Sequence, residues 1–168
     1  MSVLSTPRLT LRELTPEDAA FILKLVNEPA WLLYIGDRGI RNPADAEAYI
    51  RKGPLASYAQ HGFGLWLVVR QEDGVAMGIC GLIKRDTLPD VDIGFAFLSR
   101  FHRQGYAYEA ATATLAYGRE RLGLKRIIAI TAPANAASIN LLEKLGLRFE
   151  KMHQPTPDSQ VKVFAIDY

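Results

Sequence analysis

The 168-residue sequence has one cysteine, Cys80, so it cannot form an internal disulfide. Cys80 sits in a strand-like apolar run with no histidine close to it in sequence, and it reads as a small buried hydrophobe rather than a nucleophile. The three histidines, His61, His102 and His153, are scattered and share no metal-ligand spacing. No apolar run reaches the length of a membrane span, and the Met-Ser-Val-Leu start does not have the form of a targeting segment. Neither sign of charge is in large excess, with 20 Lys and Arg against 18 Asp and Glu. The net charge is +2, which gives no electrostatic footprint for nucleic acid. No Gly-x-Gly-x-x-Gly follows a strand, which argues against a dinucleotide-binding domain. No internal repeat or linker divides the chain. The expectation is one domain over residues 1–168, cytoplasmic, without a metal, and contacting neither nucleic acid nor membrane.

The informative stretch begins at Asp92. Residues 92–98 are mostly apolar, with Ile93, Phe95 and Phe97 alternating with Gly94, Ala96 and Leu98, as in a strand buried on both faces. Gly105 then opens a helix whose apolar positions are Ala107, Ala111, Leu115, Gly118 and Leu122, one helical face. A helix start leaves backbone N–H groups unpaired and carries partial positive charge. Arg100 and Arg103 stand just before it. A phosphate-bearing ligand fits that combination.

The rest of the chain reads as alternating elements. Residues 8–13 alternate as a strand, and Thr15-Pro-Glu-Asp18 starts a helix that ends near Glu28-Pro29. Residues 31–42 look irregular. Asn42-Pro-Ala-Asp45 starts another helix, which Gly53-Pro54 bends or interrupts. Two strands flank the turn Glu72-Asp-Gly74. Residues 126–131 form a buried strand. Asn135 is placed to cap a further helix, with Ile139, Leu142 and Leu145 on one side and Gly146 at its C-terminus. A short strand at 147–151, a Pro-rich loop at 155–159 and a strand at 161–168 complete the chain. The order implies an α/β domain: a central mixed β-sheet with helices on both faces.

Two of these segments resemble a known family. His102-Arg-Gln-Gly-Tyr-Ala107 resembles the pyrophosphate-binding motif of GNAT acetyltransferases, Gln/Arg-x-x-Gly-x-Gly/Ala, with His102 departing at the first position. Residues 135–149 resemble the second motif of the branch that includes the ribosomal-protein N-terminal acetyltransferases, Asn-x-x-Ser-x-x-x-x-Glu-Lys-x-Gly-Phe, with Leu147 in place of the Phe. The resemblance implies a GNAT fold and acetyl transfer from acetyl-CoA to a primary amine, on a protein N-terminus or a small molecule, by direct attack in a ternary complex. It implies acetyl-CoA and an amine acceptor as partners, for a monomer or homodimer. A binding module that senses acyl-CoA without turnover is the alternative.

The resemblance also implies site residues. Arg103, Gln104, Gly105, Tyr106, Ala107 and Tyr108 would hold the pyrophosphate, chiefly through backbone amides. Backbone N–H groups near Phe97 and Leu98 would hold the amide arm of the cofactor and polarise the carbonyl. Asn135, Ser138 and Asn140 would also meet the cofactor, with Asn135 serving equally as a plain helix cap. Asp92 is either the base that takes the amine proton or a strand-edge charge in water. As a base it needs burial beside Phe95 and Phe97 to raise its pKa. Many GNAT enzymes carry a Tyr that protonates the departing thiolate. That position is Leu142 here, so Ser138 is the candidate, or else merely a first-turn serine. Trp31, Tyr34, Asp37 and Arg38 either shape the acceptor site or pack as a connection. Glu109 reads as a structural partner of local amides or arginines.

Overall fold

A computed structural model describes residues 2–168. Eight strands form one mixed sheet in the order β1-β2-β3-β4-β5-β6-β8-β7. β1 (Ser2–Ser5), β2 (Leu9–Glu13), β3 (Leu65–Arg70), β4 (Ala76–Ile83) and β5 (Asp92–Phe97) pair antiparallel in succession. β6 (Arg126–Thr131) runs parallel to β5, and β8 (Ser159–Asp167) lies antiparallel between β6 and β7 (Arg148–Thr156). The first strand was not expected from sequence, because Ser-Val-Leu-Ser is too short to show a period. β7 is longer than its expected five residues. The Pro155 region continues the strand, and the chain turns only between Thr156 and Ser159.

The helices follow local signals. A short turn at Pro16–Asp18 leads into α1 (Ala19–Val26); Asp18 accepts from the Thr15 amide at 2.8 Å and is gripped by Arg12 at 2.8 and 3.0 Å. The stretch read as irregular contains a helix, α2 (Pro29–Tyr34), started by its proline. Only the residues between Tyr34 and Asn42 are loop. Asn42 caps α3 (Pro43–Ile50) by accepting from the Asp45 amide at 2.8 Å. Gly53-Pro54 falls in a widened turn, Arg51–Leu55, that leads on to α4 (Ala56–His61), so the proline loosens the helix without ending it. α5 (Tyr106–Glu120) crosses from β5 to β6 and packs on β2, β4 and β5. α6 (Ala136–Lys144) follows β6 and packs on it.

The contacts of α5 fix which side of each strand faces which layer. Thr114 meets Cys80, Tyr117 meets Trp66 edge-on, and Gly118 lies against Leu82 and Ile127. Through the cross-strand pairs of Cys80 with Phe95 and Leu82 with Ile93, the side chains of Ile93, Phe95 and Phe97 share that face. Asp92, Gly94 and Ala96 point to the opposite face. α3 packs against α1 and the widened turn that follows it. Cys80 is fully buried and its thiol is pushed up to about 12 by desolvation, so it is inert, as a buried hydrophobe should be.

Close approach of β4 to the Gly64–Leu65 backbone sets one strict requirement. A Cβ on Gly81 would stand 2.0 Å from the Gly64 carbonyl oxygen and 2.8 Å from the Leu65 Cα. Backbone atoms cannot yield as a side chain does. Gly81→Ala is therefore expected to lower stability by about 3 kcal/mol. Gly94→Ala, whose Cβ would meet only the flexible ends of the Ile83 and Leu65 side chains at 3.2 and 3.5 Å, should cost ~1 kcal/mol or less. Urea unfolding midpoints check this, and equal midpoints for the two variants would contradict the close approach.

Candidate active site

The parallel strands β5 and β6 are joined at one register position only, Asp92 opposite Ile128, with the Ile128 amide donating to the Val91 carbonyl at 3.0 Å. Beyond it they part. Gly94, Phe95 and Ala96 are half-exposed, although the sequence reads as a strand buried on both faces. The parting edge lacks the neighbour that would cover them.

Backbone direction alternates along β5. The Leu98 amide donates to the Met77 carbonyl at 3.0 Å, so even-numbered residues turn their backbone groups to β4. Val91 turns its carbonyl to β6, so the odd-numbered residues face the gap. The expected contact from the Leu98 N–H is thereby corrected: that group is already used inside the sheet. Phe97 does turn its N–H to the gap, and Phe95 joins it. His102 accounts for its own departure from the motif. Its Nε2 lies 2.9 Å from the Phe97 carbonyl and must donate to it, tying the loop to the end of β5.

The loop between β5 and α5 has two left-handed residues, Arg103 at φ 62° and Gly105 at φ 83°. The first helical bond runs from the Glu109 amide to the Gly105 carbonyl at 3.0 Å. The amides of Tyr106, Ala107 and Tyr108 precede it and have no acceptor inside the helix. Such a curled run of N–H groups forms a concavity for an anion. Arg103, Gln104 and Gly105 are exposed. The Tyr106 side chain is buried, with Phe101 edge-on and the Arg8 guanidinium 4.2 Å above its ring. The Tyr108 ring carries the Lys144 ammonium at 4.4 Å, linking α5 to α6. For both tyrosines the side chain packs and the amide remains available.

At the start of α6, the Asn135 side chain accepts from the Ser138 amide at 3.2 Å, so it is a cap. Ser138 is half-buried, and its hydroxyl makes no hydrogen bond among the described residues. Asn140 is exposed. Leu142 is 1% exposed, a core residue where many GNAT enzymes have their Tyr.

Asp92 is also 1% exposed, which overturns its reading as a charge in water. Phe95 and Phe97 do not bury it, since they point to the other face of the strand. Its partner is Arg85, whose Nε lies 2.9 Å from Oδ2. Burial pushes its carboxyl up to about 6, although Arg85 and Lys84 pull it down. A carboxyl with a raised folded-state pKa favours folding below its ordinary pKa, and this contribution is lost as pH rises through about 6. A carboxylate that titrates there is a far better base than an exposed one.

The expected acceptor segment divides. Trp31 is 5% exposed and belongs to the core, so it is corrected to a packing residue. Tyr34 is half-buried. Asp37 is tied to Arg41, which with the Gly39 amide holds its carboxyl below the usual range. Arg38 is exposed and forms no ion pair among the described residues. Burial raises the Tyr49 hydroxyl, while the charges of Arg38 and Arg85 oppose it.

One residue at the site had no sequence signal. Arg8 reaches the α5 loop across nearly the whole preceding chain, donating to Glu109 at 2.7 Å and to the Gln104 carbonyl at 3.2 Å. It also lines an open groove of about 400 Å³ with Pro7, Arg70, Gln71, Glu72 and Tyr106. Glu109 is thus a structural partner, as its sequence setting suggested.

The sequence matches the Acetyltransferase (GNAT) domain family over residues 8–148. It is 29% identical over 147 residues to the uncharacterized N-acetyltransferase YnaD of Bacillus subtilis, covering 88% of this chain and 83% of that protein. Among solved structures, the GNAT-family acetyltransferase from Bacillus anthracis superposes with a TM-score of 0.80 at 25% identity, over 99% of this chain and 98% of the other. RimL, a ribosomal L7/L12 alpha-N-protein acetyltransferase solved with coenzyme A, superposes with a TM-score of 0.84 at 15% identity, over 99% and 98%, and shares the fold. A sheet that parts beside a left-handed loop, together with a family match over most of the chain, leads to one conclusion: this protein belongs to the GNAT acetyltransferase family.

Proposed function

We propose that this protein moves an acetyl group from acetyl-CoA to a primary amine, on a protein N-terminus or a small molecule, by direct attack in a ternary complex. The observation that carries the reading is the gap between β5 and β6, which opens toward the amides at the start of α5. A thioester arm lying along that gap meets the outward N–H groups of Phe95 and Phe97. A diphosphate at its other end meets the amides of residues 105–108. Asn135 and Asn140 border the arm from α6. The reading carries a cytoplasmic enzyme, as a monomer or homodimer, and no helix among the described residues is long and apolar enough to cross a membrane.

The chemistry follows from proton bookkeeping. The amine nitrogen attacks the thioester carbonyl carbon, the N–C bond forms, and the C–S bond breaks. Asp92, directly or through water, takes the proton the amine must lose. Ser138 lends its proton to the departing thiolate and regains one from solvent. Tyr34 and Arg38 flank the acceptor side, with Asp37 holding Arg41. The competing reading is a silent acyl-CoA sensor, and the observation favouring it is Leu142, a core residue that cannot donate a proton. Free-thiol release from acetyl-CoA with a panel of amines separates the two, since a sensor binds without turnover.

Gly105→Glu should abolish acetyl-CoA binding in a folded protein, because a side chain there is strained at φ +83°, its Cβ would stand 3.3 Å from Arg8 Nη2, and the added carboxylate repels a diphosphate bound at the neighbouring amides. Calorimetric titration reads this, and wild-type affinity in the folded variant would sink the phosphate assignment. Wild-type kcat should rise with pH through a midpoint near 6, where Asp92 ionises. Asp92→Asn should lower kcat by ~10²-fold or more with acetyl-CoA affinity retained, and should recover in part at high pH, where the amine is already neutral. A fully active Asp92→Asn enzyme with an unchanged pH profile would rule out the base and leave proximity as the mechanism.

A further inference from the structure

We infer that Arg8 is a positioning residue for the donor-binding loop, a role that rests on the acetyl-CoA reading above. The whole segment Thr6 to Arg8 is fastened to the first turn of α5. Glu109 accepts from the Thr6 hydroxyl, from the Arg8 amide at 2.9 Å and from Arg8 Nε at 2.7 Å. Burial works against the charge on Glu109, and these donors outweigh it, so its carboxyl is held below the usual range. Gln71 fixes the segment from the other side by donating to the carbonyls of Thr6 and Leu9 at 2.7 and 2.8 Å.

From that anchorage the guanidinium reaches Glu109 and three successive residues, Gln104 to Tyr106, where the loop enters α5. Nε meets Glu109, and Nη1 donates to the Gln104 carbonyl at 3.2 Å. Nη2 stands 3.3 Å from the place a Cβ of Gly105 would take, and the plane covers Tyr106. The loop needs such a hold. Residues 102–105 are exposed, so no core packing fixes them. A left-handed non-glycine residue, Arg103, adds a cost of ~1 kcal/mol. Drawing the Gln104 carbonyl to Arg8 also turns the Gly105 N–H the opposite way, because the trans peptide sets the two antiparallel. Arg8 thus fixes the side on which the loop presents the Gly105 N–H.

The charge arrangement agrees. A cation beside a helix N-terminus opposes the helix dipole. Glu109 balances it in the free protein, and a bound diphosphate would add a second counter-charge. A cation kept at that end is therefore at odds with helix stability alone and suits a site that receives an anion.

The test compares two donors, acetyl-CoA and S-acetyl-pantetheine, which lacks the diphosphate. The wild-type enzyme should bind acetyl-CoA far more tightly; equal affinities would refute the loop as a phosphate site and leave Arg8 nothing to position. Arg8→Met should raise KM for acetyl-CoA by about tenfold or more, the effect of one lost charged hydrogen bond, with kcat at saturation kept and KM for S-acetyl-pantetheine unchanged. Arg8→Lys, which keeps the charge but cannot span Gln104 and Glu109 together, should recover only part of the loss. Glu109→Gln serves as a second variant should Arg8→Met fail to fold, with the same donor-selective loss expected. Equal weakening toward both donors, or full rescue by lysine, would overturn the inference and reduce Arg8 to a fold-stabilising bridge or a plain charge.

Discussion

Two parallel strands that meet at one position and then part are the constraint on which the rest of this structure depends. β5 and β6 could not be joined by a hairpin, so a crossover helix, α5, must connect them. The crossover begins at the end of β5 where the strands have separated. It therefore places the unpaired amides of a helix start next to a sheet edge with free N–H groups. Unpaired helix-start amides and a row of strand donors come to share one cleft, in keeping with the tendency of ligands to sit beyond the carboxyl ends of strands. The second motif helix, α6, starts beyond the carboxyl end of β6 and borders the same opening.

Two ion pairs sit at opposite ends of this arrangement and do different work. Arg85 with Asp92 lies at the joined end, on the face away from α5, where burial outweighs the cation and leaves a carboxyl that titrates near neutrality. Arg8 with Glu109 lies at the open end, where donors outweigh burial and hold the carboxylate charged. The first gives a group able to exchange a proton. The second gives a fixed frame.

Much of the fold could be read from the chain, because the signals were local. Pro16, Asn42, Asn135 and the turn before Gly74 mark element ends through their own backbone chemistry, and each stands where expected. The left-handed turn at Gly105 was legible for the same reason, since it and the helix after it are contiguous. The features that stayed hidden depend on distant pairing. Nothing in residues 92–98 says that one edge of the strand lacks a neighbour. Nothing near Arg8 points to Gln104. The sense in which Leu98 turns its N–H is fixed by the register with β4, not by its own identity. Trp31, in a stretch that looked irregular, is core because α2 turns it inward.

Amide hydrogen exchange, read residue by residue with and without coenzyme A, tests the central claim most directly. Protection is expected at Gly105 through Tyr108 and at Phe95 and Phe97, with Leu98 unchanged because its N–H is already bonded to Met77. Protection confined to other surfaces, such as the hollow bordered by Thr15, Glu47 and Arg51, with the β5 edge and the α5 start unaffected, would contradict it.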